Sequence, residues 1–358
     1  MDARTPNDRS PSGHNIPYLD GWRGLAILCV LIAHFTPWGP LGHLGGFGVS
    51  VFFVLSGVLM SRILFVEKMP LRTFYRRRAA RILPVFLLYT GVVFLGGWWF
   101  LRIFDGAELL ATLLFLRTYV PATPIFQSPL PLGHLWSLNV EEHCYVLLSL
   151  LSVLALRHGA RVARWALTLG AGLCVLFFVY YKYQAPAAHA LFTLRSEVAA
   201  FPLLLSCALY LWLQEYPVRV PAAVPVASLA LALACALASG SVFLSFVSVS
   251  VFLAIAVNTL AAAPAWFLGA LSHPVLKWFG VCSFSIYLWQ QVFYFLAPYA
   301  DNMPYYPALA LAATLLVASA SFYGFENPLR QWLSAKPRGR AAVSLPGVRA
   351  GVAPQRPD

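Results

Sequence analysis

Charge is what this chain has least of. Asp, Glu, Lys and Arg make up 11% of its 358 residues, against roughly 25% in an ordinary soluble domain. That scarcity excludes a soluble globular protein of this size. Acidic residues are the rarer kind, 13 against 25 Lys and Arg, which leaves a formal charge of +12. A basic surplus can signal a nucleic-acid partner, but in so apolar a chain it is first a topology signal, and no nucleic-acid partner is expected. The six cysteines (Cys29, Cys144, Cys174, Cys207, Cys235, Cys282) sit singly inside apolar runs without CxxC spacing. That argues against a zinc site or a disulfide framework, and no metal is expected. No internal repeat is evident. The first apolar run lacks a small-residue cleavage site, so the start reads as uncleaved.

What is present suits hydrocarbon: 60% hydrophobic and 15% aromatic residues, with a mean hydropathy of +0.72. A bilayer crossing needs about 20 apolar residues. Ten stretches qualify, near 19–37, 46–65, 82–101, 136–156, 163–182, 197–214, 221–239, 242–261, 277–297 and 307–326. An eleventh, 108–120, is apolar for only about a dozen residues and carries Arg117. If it does not cross, Lys and Arg divide as 20 cytoplasmic against 4 outside, with Arg23 left in its helix; if it crosses, the split is 12 against 12. The positive-inside rule favours the first. The expected fold is therefore an all-α polytopic membrane protein of about ten spans, both termini cytoplasmic, with 108–120 re-entrant or interfacial. Residues 1–17 form a cytoplasmic segment, 18–333 the membrane domain and 334–358 a disordered basic tail rich in Pro, Gly and Arg.

Several polar residues inside these spans need a reason. In W-R-G-L-A-I-L-C-V-L-I-A-H-F, Trp22 to Phe35, Arg23 and His34 are eleven positions apart. Eleven steps at roughly 100° return to the same helical face, about 16 Å along the axis. This stretch alone admits both a snorkelling arginine with a satisfied buried histidine and a working pair. Gly42, Gly45, Gly46, Gly48 and Gly57 surround the start of the second span, where they suit close helix packing or the approach of a ligand. His43 beside them reads as a solvated loop residue.

The loop R-T-F-Y-R-R-R-A-A-R-I-L-P, Arg72 to Pro84, holds five arginines in ten residues. Arg78 and Arg81 lie on one helical face. Guanidinium forks match phosphate oxygens, so the pair suits a polyphosphate; a topology anchor or an anionic-lipid patch is the alternative.

H-L-W-S-L-N-V-E-E-H-C-Y, His134 to Tyr145, sets Glu141 and Glu142 several residues into an apolar span, where an ionisable group costs at least ~2.5 kcal/mol unless it faces water or a partner. His134, Glu141 and Tyr145 share a face and Glu142 points about 100° away. Glu141 is the expected partner of His34, because a carboxylate fixes an imidazole tautomer and stabilises its protonated form. His143 reads as a neighbour. In V-C-S-F-S-I-Y-L-W-Q-Q, Ser283, Tyr287 and Gln290 or Gln291 share a face toward a cavity or toward neighbouring helices. Glu326 beside Arg330 is explained by a surface pair.

In this order the motifs resemble the acyltransferase 3 family of integral membrane acyltransferases, which modify hydroxyl groups, mostly on surface glycans. The resemblance rests on Y-L-D-G-W-R-G with His34, F-F-V-L-S-G at 52–57, R-R-R-A-A-R-I-L-P, L-W-S-L-N-V-E-E-H-C-Y, S-F-S-I-Y-L-W and E-N-P-L, over residues 18–330. The pattern often has aspartate where Ser50 stands, glutamine at His143 and histidine at Gln290. The last departure leaves His34 to move protons alone or with Glu141. The resemblance implies an acyl-CoA donor, with an acetyl group expected, and an acceptor hydroxyl on a cell-surface or lipid-linked glycan. No hydrolase-like domain follows the membrane part as in some relatives, so a stand-alone module among the lipids of a bacterial inner membrane is expected.

Arg77, Arg78 and Arg81 would meet the donor's phosphates. A pantetheine arm of about 20 Å would thread inward past Arg23, which could instead pair with Asp20, to His34 as general base. Glu141 and Arg23 complete the expected catalytic group. Asp20, Gly45, Gly46, Ser56, His134, Trp136, Ser137, Tyr145, Ser283, Tyr287 and Gln290 are the expected supporting residues. Two other readings fit the same features: acylation of a small-molecule glycoside, and a proton-coupled carrier or flippase. Clustered arginines and the missing repeat speak against the carrier.

Overall fold

A computed structural model describes residues 17–36, 39–120, 124–184, 189–238, 242–300 and 303–334. The expected N-terminal segment up to residue 16 and the expected tail from 335 lie outside the described residues, among which there is no strand. The chain begins with α1 (Pro17–Phe35), α2 (Leu44–Ser61) and α3 (Leu71–Gly96). π-helical turns prolong the last two through Arg62–Val66 and Gly97–Leu101. A short α4 (Gly106–Leu113) precedes the long α5 (Trp136–His158) and α6 (Ala160–Gln184). Then come α7 (His189–Phe192), α8 (Ser196–Ala199), α9 (Phe201–Glu215), α10 (Ala223–Leu237) and α11 (Val242–Asn258). The last are α12 (Ala265–Leu271), α13 (Pro274–Phe295), α14 (Tyr306–Ser321) and α15 (Asn327–Ser334).

Each of the ten predicted stretches falls on a helix. Among the described residues, seven helical stretches are long and apolar enough to cross a membrane, and Ala223–Leu237 and Val242–Asn258 are apolar but shorter. The protein is an all-α polytopic membrane protein, and seven of the ten predicted stretches meet that criterion of length and composition among the described residues.

The helix α1 is the hub, packing most extensively against α13 and α2. Glycine makes this possible at the contact points. Against α13, a Cβ at Gly24 would stand 2.0 Å from the Leu276 carbonyl oxygen, and one at Gly280 would stand 1.7 Å from that of Asp20. In lipid, where no hydrophobic force drives helices together, small residues that let backbones meet supply the packing. On either side of the hub the buried apolar side chains form two clusters. One runs from α1 and α2 to α3, α5, α6, α9 and α13; the other joins α1 and α2 to α10, α11 and α12.

The segment 108–120 is too short to cross. It holds the last residues of the eight-residue α4, whose first turn is capped by Asp105 accepting from the backbone N–H of Ala107 at 2.8 Å and of Glu108 at 3.2 Å. Arg117 returns over this helix and its Nε donates to Glu108 Oε1 at 2.8 Å, with both side chains buried. An arginine that looked out of place in an apolar run therefore closes a short loop.

Candidate active site

Two chambers open into the bundle. The narrow one, about 80 Å³, lies among α1, α2, α3, α5 and α13, and Arg23, Arg78, Arg81, Glu141 and Glu142 line it. The wide one, about 760 Å³, is lined by His34, Gly45, His134, Gln291 and Tyr294 among others. Val49 and Tyr287 belong to both walls, so the chambers meet there.

In the narrow chamber the charged groups are held by one another and by hydroxyls. Arg78 lies over the Tyr145 ring at 4.5 Å, and its Nη1 donates to the Tyr145 hydroxyl at 3.2 Å. That hydroxyl donates onward to Glu141 Oε2 at 3.1 Å, while Ser56 Oγ donates to Glu141 Oε1 at 2.7 Å. Arg23 Nη1 is 3.7 Å from Asp20 Oδ1 on the preceding turn, so it both pairs and lines the chamber. Arg81 has no hydrogen-bond or ion-pair partner among the described residues. Three guanidinium groups on one small chamber make it receptive to an anion. Ser137 and Ser283 complete the polar wall.

In the wide chamber, His34 stacks on Tyr294 with centroids 4.2 Å apart. Its Nδ1 lies 2.6 Å from Gln290 Oε1. The Gln290 amide nitrogen donates to the Tyr287 carbonyl at 3.3 Å and lies 3.5 Å from Gln291 Oε1, which turns the amide oxygen toward the ring. An amide oxygen only accepts, so Nδ1 carries the hydrogen and the neutral ring keeps its lone pair on Nε2. Gly45 sits beside that nitrogen; a Cβ there would be 3.9 Å from it. Trp136 lines this chamber and meets Phe53 edge-on at 5.9 Å.

Tyr287 is fixed at the meeting wall. Its hydroxyl donates to the His134 carbonyl at 2.9 Å and lies 2.6 Å from Ser137 Oγ, which also reaches the His134 carbonyl at 3.2 Å.

Some sequence expectations need correcting. Glu141 is not the partner of His34: it faces the other chamber, bonded to Ser56 and Tyr145, and a glutamine 256 residues away takes its place. Glu142, expected to point elsewhere, lines the same chamber as Glu141. Arg77 is exposed and approaches Met69 Sδ at 4.0 Å rather than the arginine cluster. Gln290 is fully buried behind His34, and Gln291 is the residue that lines the chamber. Glu326 is buried and accepts from Ser285 Oγ at 2.6 Å, while Arg330 bonds Asn327.

His143 bonds Ser196 at 2.7 Å, away from both chambers. His43 is exposed and, with Gly46 and Ser50, lines a third cavity of about 500 Å³ that shares Gly46 with the wide chamber. Gln290 was legible as a polar residue on an apolar helix, but its pairing with His34 had no local signal.

The sequence matches the profile of the acyltransferase 3 family, an acyltransferase domain, over residues 16–325. It is 26% identical over 354 residues to the peptidoglycan O-acetyltransferase OatA of Listeria monocytogenes, covering 88% of this chain and 56% of that protein. To YrhL, a putative peptidoglycan O-acetyltransferase of Bacillus subtilis, it is 27% identical over 366 residues, covering 88% and 55%. To a putative O-acetyltransferase of Staphylococcus aureus it is 26% identical over 354 residues, covering 88% and 57%. The chain thus spans little more than half the length of these relatives. No solved structure matches it. With the profile extending from α1 almost to the end of the last long helix, the chain belongs to the acyltransferase 3 family.

Proposed function

We propose that the protein moves an acetyl group from cytoplasmic acetyl-CoA to a hydroxyl of a cell-surface or lipid-linked glycan in a bacterial inner membrane, with His34 as general base. The observation that carries this reading is the pair of chambers: one lined by guanidinium groups, one holding a histidine with a free Nε2, sharing the wall of Val49 and Tyr287. The names of the relatives, peptidoglycan O-acetyltransferases, support a glycan acceptor.

The donor's phosphates would sit at Arg78 and Arg81, with Arg23 farther in. The thioester would reach the wall between Val49 and Tyr287. The acceptor hydroxyl enters from the wide chamber and attacks the thioester carbonyl carbon while His34 Nε2 takes its proton. The new C–O bond forms, the C–S bond breaks as the tetrahedral intermediate collapses, and His34 returns the proton to the leaving thiolate to give CoA–SH. Throughout, Nδ1–H stays on Gln290. A base so positioned contributes about 10²- to 10⁴-fold.

Purified protein supplied with acetyl-CoA and a glycan fragment should release CoA and acetylate the sugar. His34→Ala should lose the transfer while still inserting and accumulating. Retained transfer in that variant removes the base from the scheme. A wild-type protein that releases no CoA removes the donor.

A further inference from the structure

The wide chamber holds a second imidazole. His134 is 5% exposed, lines the chamber with His34, and neither ring nitrogen has a hydrogen-bond partner among the described residues. Its neighbours are polar, yet their hydroxyls are committed elsewhere. Tyr89, edge-on to it at 5.4 Å, donates to the Pro131 carbonyl, and Tyr287, at 5.2 Å, is bonded to the His134 backbone carbonyl and to Ser137. The two tyrosine rings clamp the imidazole and satisfy neither nitrogen. A buried donor left without a partner keeps its full desolvation cost, so such a group in a native structure calls for an explanation. Here the ring stands against Tyr287, at the wall where the two chambers meet.

Resting on the reaction above, we infer that His134 is the electrophilic group of the transfer: its ring N–H donates to the acyl carbonyl oxygen as that oxygen gains negative charge. Attack on a thioester needs a base for the incoming hydroxyl and a donor for the oxygen that becomes the oxyanion. His34, with Nδ1 held by Gln290 and Nε2 free, fills the first role. An imidazole carries at least one N–H in either charge state, and that of His134 faces no protein acceptor. The tyrosine clamp gives the fixed aim that a donor preorganised for an oxyanion requires.

The test compares His134→Phe, which keeps a ring and loses the donor, with His134→Asn and His134→Gln, which keep an N–H. Acetyl transfer and melting temperature are measured on the full chain in detergent. His134→Phe should lower kcat about 10²- to 10³-fold, the cost of deleting one oxyanion donor, with KM for acetyl-CoA nearly unchanged. Asn or Gln should recover at least about tenfold of that loss, since a side-chain N–H can replace the ring N–H as donor. Where the Phe variant does not accumulate, His134→Met replaces it under the same criteria. Wild-type kcat in the Phe or Met variant overturns the assignment, and so do Asn and Gln falling as far as Phe. If wild-type protein releases no CoA, the reaction reading fails and takes this assignment with it; release that His134→Phe retains removes the assignment alone.

Discussion

At the scale of single residues, the group on which the proposed reaction turns is the amide behind His34. A carboxylate in that position would both fix the tautomer and hold a positive charge on the ring; Gln290 does only the first, because its oxygen accepts from Nδ1–H without bringing charge. Gln290→Leu should therefore lower kcat at least about 10-fold, and at most by the roughly 10⁴-fold lost when the group fixing a base histidine's tautomer is replaced, leaving KM for the donor near wild type. Gln290→Glu should keep more activity and move the acidic limb of the pH–rate profile to higher pH, since a carboxylate favours the protonated ring that cannot act as base. A Gln290→Glu profile that does not move would show that this contact does not govern the proton transfer. Steady-state rates from about pH 5 to 9, spanning the ordinary imidazole range, suffice for the comparison. Gly45 acts at the same scale by leaving Nε2 uncovered. Gly45→Leu should block acceptor entry and spare donor binding, which equilibrium binding of CoA would check.

At the scale of elements, α3 carries the guanidinium groups assigned to the proposed donor and α4 the loop closure. Arg78 and Arg81 lie nearly one turn apart on α3. Each charge-assisted hydrogen bond lost in Arg78→Gln or Arg81→Gln is worth about 1.5–3 kcal/mol, so KM for acetyl-CoA should rise at least about tenfold while KM for the acceptor stays put; equal effects on both would contradict the assignment. In the loop, Glu108→Ala should destabilise by up to about 3–5 kcal/mol through loss of its buried ion pair with Arg117, and Glu108→Leu with Arg117→Met should recover most of it. Melting of the three proteins in one detergent measures this. Much at this scale was legible in the sequence. Apolar runs found the helices, and spacing put Arg23 and His34 on one stripe, because both signals are local. Other features depend on how helices rotate against one another: the Gln290 partner on a helix far away in sequence, Glu142 turning into the chamber of Glu141, and Arg77 turning out to the surface. Helical periodicity says which residues share a face but not what that face meets.

At the scale of the whole molecule, the arrangement predicts which ends meet which compartment. On the orientation that the Lys and Arg distribution predicts, with both termini cytoplasmic, a cysteine placed at exposed His43 should react with a membrane-impermeant maleimide in intact cells, and one at exposed Arg77 only after permeabilisation. Labelling in the reverse order would invert the scheme. The native cysteines are buried or half-buried, which keeps the background low. The two hollows are also very unequal, about 80 Å³ on the arginine side and about 760 Å³ on the histidine side. A slot holds its guest to a narrow size range, whereas a vestibule tolerates bulk. On the proposed reaction the enzyme would then be strict about what it gives away and lenient about who receives it. Lengthening the acyl chain by a few methylenes should depress the rate sharply, while sugars of quite different size should compete on similar terms.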